Sequence, residues 1–230
     1  MKPTLLLLPG TLCDVRIFRH QCRTLRDVAD LRALDYAGLD RSGAWLDRLL
    51  SELPEQFSMA GFSLGGLWAL ELLRRAPQRV QRLALIASNA RPASGRARRR
   101  SADQWRLWQR QGPAAVARGA KPAYFHHPGQ RQRHGPLVRA MATGTPSRVA
   151  RAEFAWAAER PDGLPALHGF GGPLLLVSGE HDRLCPPAWQ REMLQAQPAA
   201  RWLELPRVGH FVPLEAPARL SGALRQWLKT

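Results

Sequence analysis

Three side chains of complementary chemistry stand far apart in this chain, each beside a short apolar run. The first lies in Gly61-Phe62-Ser63-Leu64-Gly65-Gly66, between an apolar run and a stretch of helical periodicity. A serine on a sharp strand-to-helix turn needs small neighbours, hence Gly61 and Gly65, and its hydroxyl then projects at the helix N-terminus. The positive end of the helix dipole there favours negative charge developing on a reacting oxygen. The G-x-S-x-G pattern alone is common by chance, and the flanking strand and helix give it weight.

A serine hydroxyl is a weak nucleophile at neutral pH and needs a base within reach, oriented by a third group. Val208-Gly209-His210-Phe211 follows the last apolar run, which makes His210 the candidate base. His168 and His181 are rivals, and a structural histidine is the plain alternative for His210. Gly179-Glu180-His181-Asp182 follows the preceding run. Asp182 is the candidate orienting acid by its loop position, with Glu180 as the alternative. The resulting order, Ser63, Asp182, His210, is one of three chain orders known for this chemistry. Acyl transfer also needs two N–H donors for the tetrahedral oxygen. Leu64 should supply one. The turn Pro9-Gly10-Thr11-Leu12 should supply the other, from Thr11 first and Leu12 second.

Positioning these groups requires a frame, and the hydrophobic pattern describes one. Six short apolar runs read as strands: 4–8, 31–36, 57–61, 83–88, 173–178 and 201–205. Helical periodicity falls at 15–28, 42–53, 64–75, 187–195 and 216–228, with Pro77 and Pro198 after two of them. Alternation of strand and helix implies a mostly parallel sheet, and continuous runs such as Leu174-Leu175-Leu176-Val177 suit strands covered on both faces. Residues 1–88 and 169–230 then form an α/β core. Residues 89–168 form a helical cap insertion, in which Trp105, Trp108, Phe154 and Trp156 are candidates, with Leu12, to line an apolar substrate pocket. A plain packing role is the alternative for each.

Composition narrows the partners. The formal charge is +16, from 34 Lys and Arg against 18 Asp and Glu. Residues 89–168 carry 15 of the basic groups and four of the acidic ones. An acidic partner would dock there. All but three of the basic residues are arginine, a bias that codon composition produces as readily as function does. Non-specific nucleic-acid binding is a second outlet for such charge. The apolar run Leu5 to Leu8 is too short for a signal peptide or membrane span. Cys13, Cys22 and Cys185 lack metal or redox spacing, as expected of reduced thiols in a cytoplasmic protein. His126-His127 and His134 read as loop histidines, with no second metal-binding set nearby.

Taken together, LLLLPGTLCD, GFSLGGLWAL, RLALIASNARP, LLLVSGEHDRLCPP and VGHFVPLEAP resemble the α/β-hydrolase family over nearly the whole chain. Within it the chain is similar to small bacterial carboxylesterases, including pimeloyl carrier-protein methyl ester esterases and 3-oxoadipate enol-lactonases. The resemblance implies an ester hydrolase without metal or organic cofactor, and a cap after the sixth strand of the family's usual count. It also implies an ester carried on an acidic acyl carrier protein as one substrate. An enol-lactone or C–C bond hydrolase, or a non-catalytic ligand receptor, are the other readings. Pro9 stands where a histidine often precedes the oxyanion-turn glycine, and the chain begins at the usual third strand.

Overall fold

The structure, a computed structural model, describes residues 2–36, 38–39, 44–119 and 124–230. Along the chain run β1 (Thr4–Leu8), a one-turn 3-10 helix (Val15–Phe18), α1 (Arg19–Leu25), β2 (Asp30–Ala33), α2 (Ala44–Glu52), β3 (Phe57–Phe62) and α3 (Leu64–Arg75). β4 (Val80–Ile86) precedes α4 (Gly95–Gly119), α5 (Pro128–Gly144), α6 (Ser147–Glu159) and α7 (Leu164–His168). The chain closes with β5 (Leu174–Gly179), α8 (Pro187–Ala196), β6 (Arg201–Leu205), α9 (Val212–Glu215) and α10 (Pro217–Trp227).

The six strands form one parallel sheet in the order β2-β1-β3-β4-β5-β6. Alternate residues of each strand face opposite sides. Leu5 and Leu7 therefore enter a core with Ile17, Phe18, Leu220 and Leu224 under α1 and α10. Leu6 and Leu8 enter a second core with Leu64, Trp68, Leu72 and Met193 under α3 and α8. Both faces are covered, which is why these strands read as unbroken apolar runs. Strand order reverses between β1 and β3, and ligands of open α/β sheets bind beyond the carboxyl ends of the strands at such a point.

The expected elements differ from the observed ones at their ends. β2 stops at Ala33 rather than Tyr36, because the chain turns off the sheet edge and the Tyr36 hydroxyl donates to the Pro9 carbonyl (2.8 Å). β4 spans Val80–Ile86 rather than 83–88, since Ala87 takes a positive φ of 46° and leaves the strand. The helix expected over 15–28 begins as the 3-10 turn capped by Asp14, whose side chain accepts from the Arg16 N–H. Residues 42 and 43 of the helix expected from Ser42 lie outside the described residues.

Between β4 and β5, α4 packs on α5 and α6, while α7 packs on α3 and α8 at the flank of the sheet. α4 is broken at Gly112 (φ 75°), directly before Pro113. A third apolar cluster gathers Trp108, Val116, Ala117, Ala142, Ala150 and Phe154 around Leu12 of the turn after β1.

One buried charge ties α3 to its surroundings. Glu71 accepts from Arg74 Nη2 (2.7 Å) and Arg75 Nε (2.8 Å), and Arg75 reaches on to Asp47 (2.6 Å). Burial raises the Glu71 carboxyl, the two guanidiniums outweigh it, and the net shift is downward. A carboxyl depressed on folding stabilises above its unfolded pKa, about 4.3, and loses that contribution as pH falls through the folded value. Glu71→Gln should lower stability at pH 7 by about 1 kcal/mol. Urea titrations should show the gap to wild type closing below about pH 4; an equal gap at pH 7 and pH 3 contradicts this account.

Candidate active site

Ser63 lies between β3 and α3 at φ 53°, ψ −114°, a region that residues with a side chain rarely occupy. Close packing forces it there. A Cβ on Gly65 would sit 2.0 Å from the Leu8 carbonyl oxygen, and one on Gly61 would sit 2.4 Å from the Gly65 oxygen. Hydrogen bonds then fix the turn. The Ser63 N–H donates to Ile86 O (2.9 Å), and Ser63 O accepts from Gly66 N (3.0 Å) and the Ser88 hydroxyl (2.8 Å).

His210 follows β6 and lies 3 % exposed, with its N–H donating to Tyr124 O (2.7 Å). Its Nε2 lies 3.0 Å from Ser63 Oγ and its Nδ1 lies 2.9 Å from Asp182 Oδ2. A carboxylate only accepts, so Nδ1 carries the proton and Nε2 is left to accept from the serine hydroxyl. Asp182 is buried, and its Oδ1 accepts from the N–H groups of Leu184 (2.8 Å) and Cys185 (2.9 Å). The acid is thus fixed at both oxygens. The two loops touch: a Cβ on Gly179 would meet Gly209 O at 2.2 Å.

The rivals are engaged elsewhere. Glu180 accepts from the Arg207 N–H (3.1 Å) and lies 3.4 Å from His181 Nε2. His181 stacks on His126 (ring centroids 4.1 Å), and His168 Nδ1 lies 3.2 Å from Ala196 O. Cys185 lies beside the site, within 4.8 Å of ligand atoms of Asp182 and His210. Burial first, then the Asp182 charge, push its thiol well up, away from the thiolate that a metal or nucleophilic role needs.

Leu64 opens α3, so its N–H has no partner within the helix. The turn after β1 passes against Ser63: a Cβ on Gly10 would lie 3.3 Å from Ser63 Cβ and 2.9 Å from the Phe62 ring. The Cys13 N–H closes this turn on Gly10 O (3.0 Å), with Thr11 at its tip and Leu12 at φ 52°. The Leu12 N–H donates to the buried Glu153 Oε2 (2.8 Å), so that amide is already bound to a carboxylate. Of the two candidate donors of the turn, Leu12 is thus the one whose amide faces α6.

Trp105, Trp108 and Phe154 pack with Leu12 in one apolar cluster, each indole 6.4 Å from the Phe154 ring. Trp156 is not among them. Two residues along a helix is about 200° of rotation, and its ring stacks on Trp68 in the second core (4.3 Å, 7° between planes). Ser88, Tyr124 and Glu153 also brace the site, and none stood out in the sequence. Ser88 had the one usable signal, its place at the end of an apolar run.

A parallel α/β sheet with serine, acid and histidine on the loops after β3, β5 and β6 defines a protein of the hydrolase class. The family model described as "Alpha/beta hydrolase family" matches residues 5–223, and the chain belongs to that family. A relative from Aromatoleum aromaticum, named pimeloyl-[acyl-carrier protein] methyl ester esterase, is 29% identical over 195 residues, 76% of this chain and 74% of its own. A biotin biosynthesis bifunctional protein from Cellvibrio japonicus is 32% identical over 98 residues, 39% of this chain and 20% of its own. Among solved structures, a thermophilic esterase from Thermogutta terrifontis matches with TM-score 0.83 at 24% identity, covering 99% of this chain and 91% of its own. The enol-lactonase from Burkholderia xenovorans LB400 matches at 0.84 and 22%, covering 100% and 92%. These two likenesses establish the fold.

The contacts of Gly65 make a direct test of the turn. Gly65→Ala puts a methyl group 2.0 Å from a carbonyl oxygen, and should destabilise by about 3 kcal/mol or more. A wild-type urea midpoint would contradict this geometry.

Proposed function

We propose that this chain is a serine carboxyl-ester hydrolase, and the observation that carries the reading is the His210 ring spanning Ser63 Oγ (3.0 Å) and Asp182 Oδ2 (2.9 Å). Ser63 Oγ attacks the ester carbonyl carbon while His210 Nε2 takes its proton. The tetrahedral oxygen sits against the N–H groups of Leu64 and Thr11. His210 then gives the proton to the departing alkoxide, which leaves as alcohol. Water, deprotonated by the same nitrogen, attacks the acyl-enzyme, and His210 returns that proton to Ser63 Oγ as the C–O bond breaks and the acid product leaves. Asp182 keeps the imidazole in the required tautomer and stabilises the imidazolium between the two transfers.

Residues 89–168 act as a cap over this chemistry. Leu12, Trp105, Trp108 and Phe154 line the acyl pocket, and the role expected of Trp156 passes to packing against Trp68. Around the pocket the cap is basic, with Arg98, Arg99, Arg110, Arg118, Arg131 and Arg139 all exposed. Such a face attracts an acidic partner over several ångströms of water. An acyl chain tethered to an acidic carrier protein, its distal ester entering the pocket, fits both features. The name of the Aromatoleum aromaticum relative supports this substrate class. A cytoplasmic setting fits an odd number of cysteines without disulfide-framework spacing, and no described helix is long and apolar enough to cross a membrane.

Two measurements test the proposal. Asp182→Asn should lower kcat on a small ester by about 10³- to 10⁴-fold through the wrong tautomer; retention of activity within a few-fold contradicts the assigned role. Added salt should reduce kcat/KM steeply for a carrier-linked ester and little for a small neutral ester. Equal salt responses contradict docking on the cap.

A further inference from the structure

One carboxylate outside the serine, histidine and aspartate line holds the backbone on both sides of His210. Glu215, the last residue of the four-residue α9, folds back toward the start of its own turn. Its Oε1 accepts from the Phe211 N–H (3.1 Å), and its Oε2 accepts from the N–H groups of Gly209 (3.2 Å) and His126 (2.9 Å). The Phe211 N–H belongs to the peptide unit after His210 and the Gly209 N–H to the unit joining Val208 and Gly209, so one rigid group ties the backbone on both sides of the histidine. The third bond leaves the loop and reaches the segment just before α5.

That segment meets the histidine loop at close range throughout. The His210 N–H donates to Tyr124 O (2.7 Å), and the Tyr124 ring stands edge-on to the imidazole (5.6 Å). Phe125 stacks on Phe211 (4.8 Å, 21°). A Cβ at Gly209 would fall 2.3 Å from Tyr124 O and 2.6 Å from His126 N, so the two backbones touch where only glycine fits. Glu215 is half-buried in this seam. Burial pushes its carboxyl up, and the three N–H groups pull it back toward the ionised form that accepts all of them. Reaching back to the N–H of the helix cap is a known capping device, but capping alone accounts for the Phe211 bond and leaves those to Gly209 and His126 unexplained.

We propose that Glu215 is a positioning residue for His210, and that through it and Tyr124 the segment 124–126 holds the imidazole in register with Ser63 and Asp182. The inference rests on the serine-hydrolase reading above. A bridging ring with partners at 2.9 and 3.0 Å on its two nitrogens tolerates little displacement, and a misplacement of about 1 Å costs up to about a hundred-fold in rate.

Glu215→Ala removes all three acceptors, and Glu215→Gln keeps one carbonyl oxygen while setting an amide NH2 against a backbone N–H. Each variant is assayed on a small ester per folded molecule, and its low-field His210 Nδ1–H proton resonance is recorded. Expected for Glu215→Ala is a kcat lower by about ten- to a hundred-fold with KM within about two-fold, a smaller loss for Gln, and a shifted or broadened resonance in both. A merely structural role would lower the melting temperature and leave kcat per folded molecule and the resonance unchanged; that result overturns the proposal. Where Glu215→Ala does not fold, Glu215→Gln decides by the same readings. The resonance is read without turnover, so a wild type that hydrolyses no ester defeats the hydrolase reading while the resonance still judges the clamp.

Discussion

The backbone strain at Ser63 is the constraint on which the site depends. A serine at φ 53°, ψ −114° costs about 1–3 kcal/mol and persists only where its surroundings over-determine it. Here they do so in two ways. Gly61 and Gly65 let β1, β3 and α3 approach to distances that a single Cβ would forbid. Three hydrogen bonds, from the Ser63 N–H to Ile86 and to Ser63 O from Gly66 and Ser88, each contribute about 1 kcal/mol net and together match the strain. The hydroxyl is thereby presented at the rim of the sheet and at the start of a helix, which is where a nucleophile and an oxyanion site must coincide.

The rest of the architecture brings partners to that point. Parallel strands place every strand-to-helix loop on the same rim, so loops after β1, β3, β5 and β6 converge although their residues lie far apart in the chain. The strand order reverses between β1 and β3, and Ser63 follows β3 at this switch point. The chain between β4 and β5 then grips two of these loops. Glu153 of α6 holds the Leu12 amide of the turn after β1, and Tyr124 and His126 hold the loop of His210. The segment between β4 and β5 is therefore mechanically joined to the loops that carry Leu12 and His210.

Much of the sheet was legible in the sequence because buried parallel strands are apolar on both faces and bracketed by Gly or Pro. Thr4–Leu8 and Arg201–Leu205 match their expected limits, whereas β2 at the half-exposed edge and β4 next to Ala87 do not. Edge strands end where a tertiary contact redirects the chain, as Tyr36 does by bonding Pro9 O, and no local pattern announces that. Ser63, Asp182 and His210 were readable from loop position and chain order, and the structure brings the three together. The supporting residues were not. Glu153 and Glu215 act by accepting backbone N–H groups across 141 and 89 residues, and an isolated acid in sequence gives no sign of such a partner. Trp156 shows the complementary error: an aromatic two positions from Phe154 on a helix faces another core.

The central claim is that Ser63 is the nucleophile made reactive by His210. Treating the folded protein with a fluorophosphonate and mapping the adduct by peptide mass spectrometry tests it most directly. The account predicts a single phosphonylated peptide, the one containing Ser63, with labelling lost in Ser63→Ala and slowed in His210→Ala. Folded wild-type protein that takes up no label, or takes it up on another residue, contradicts it.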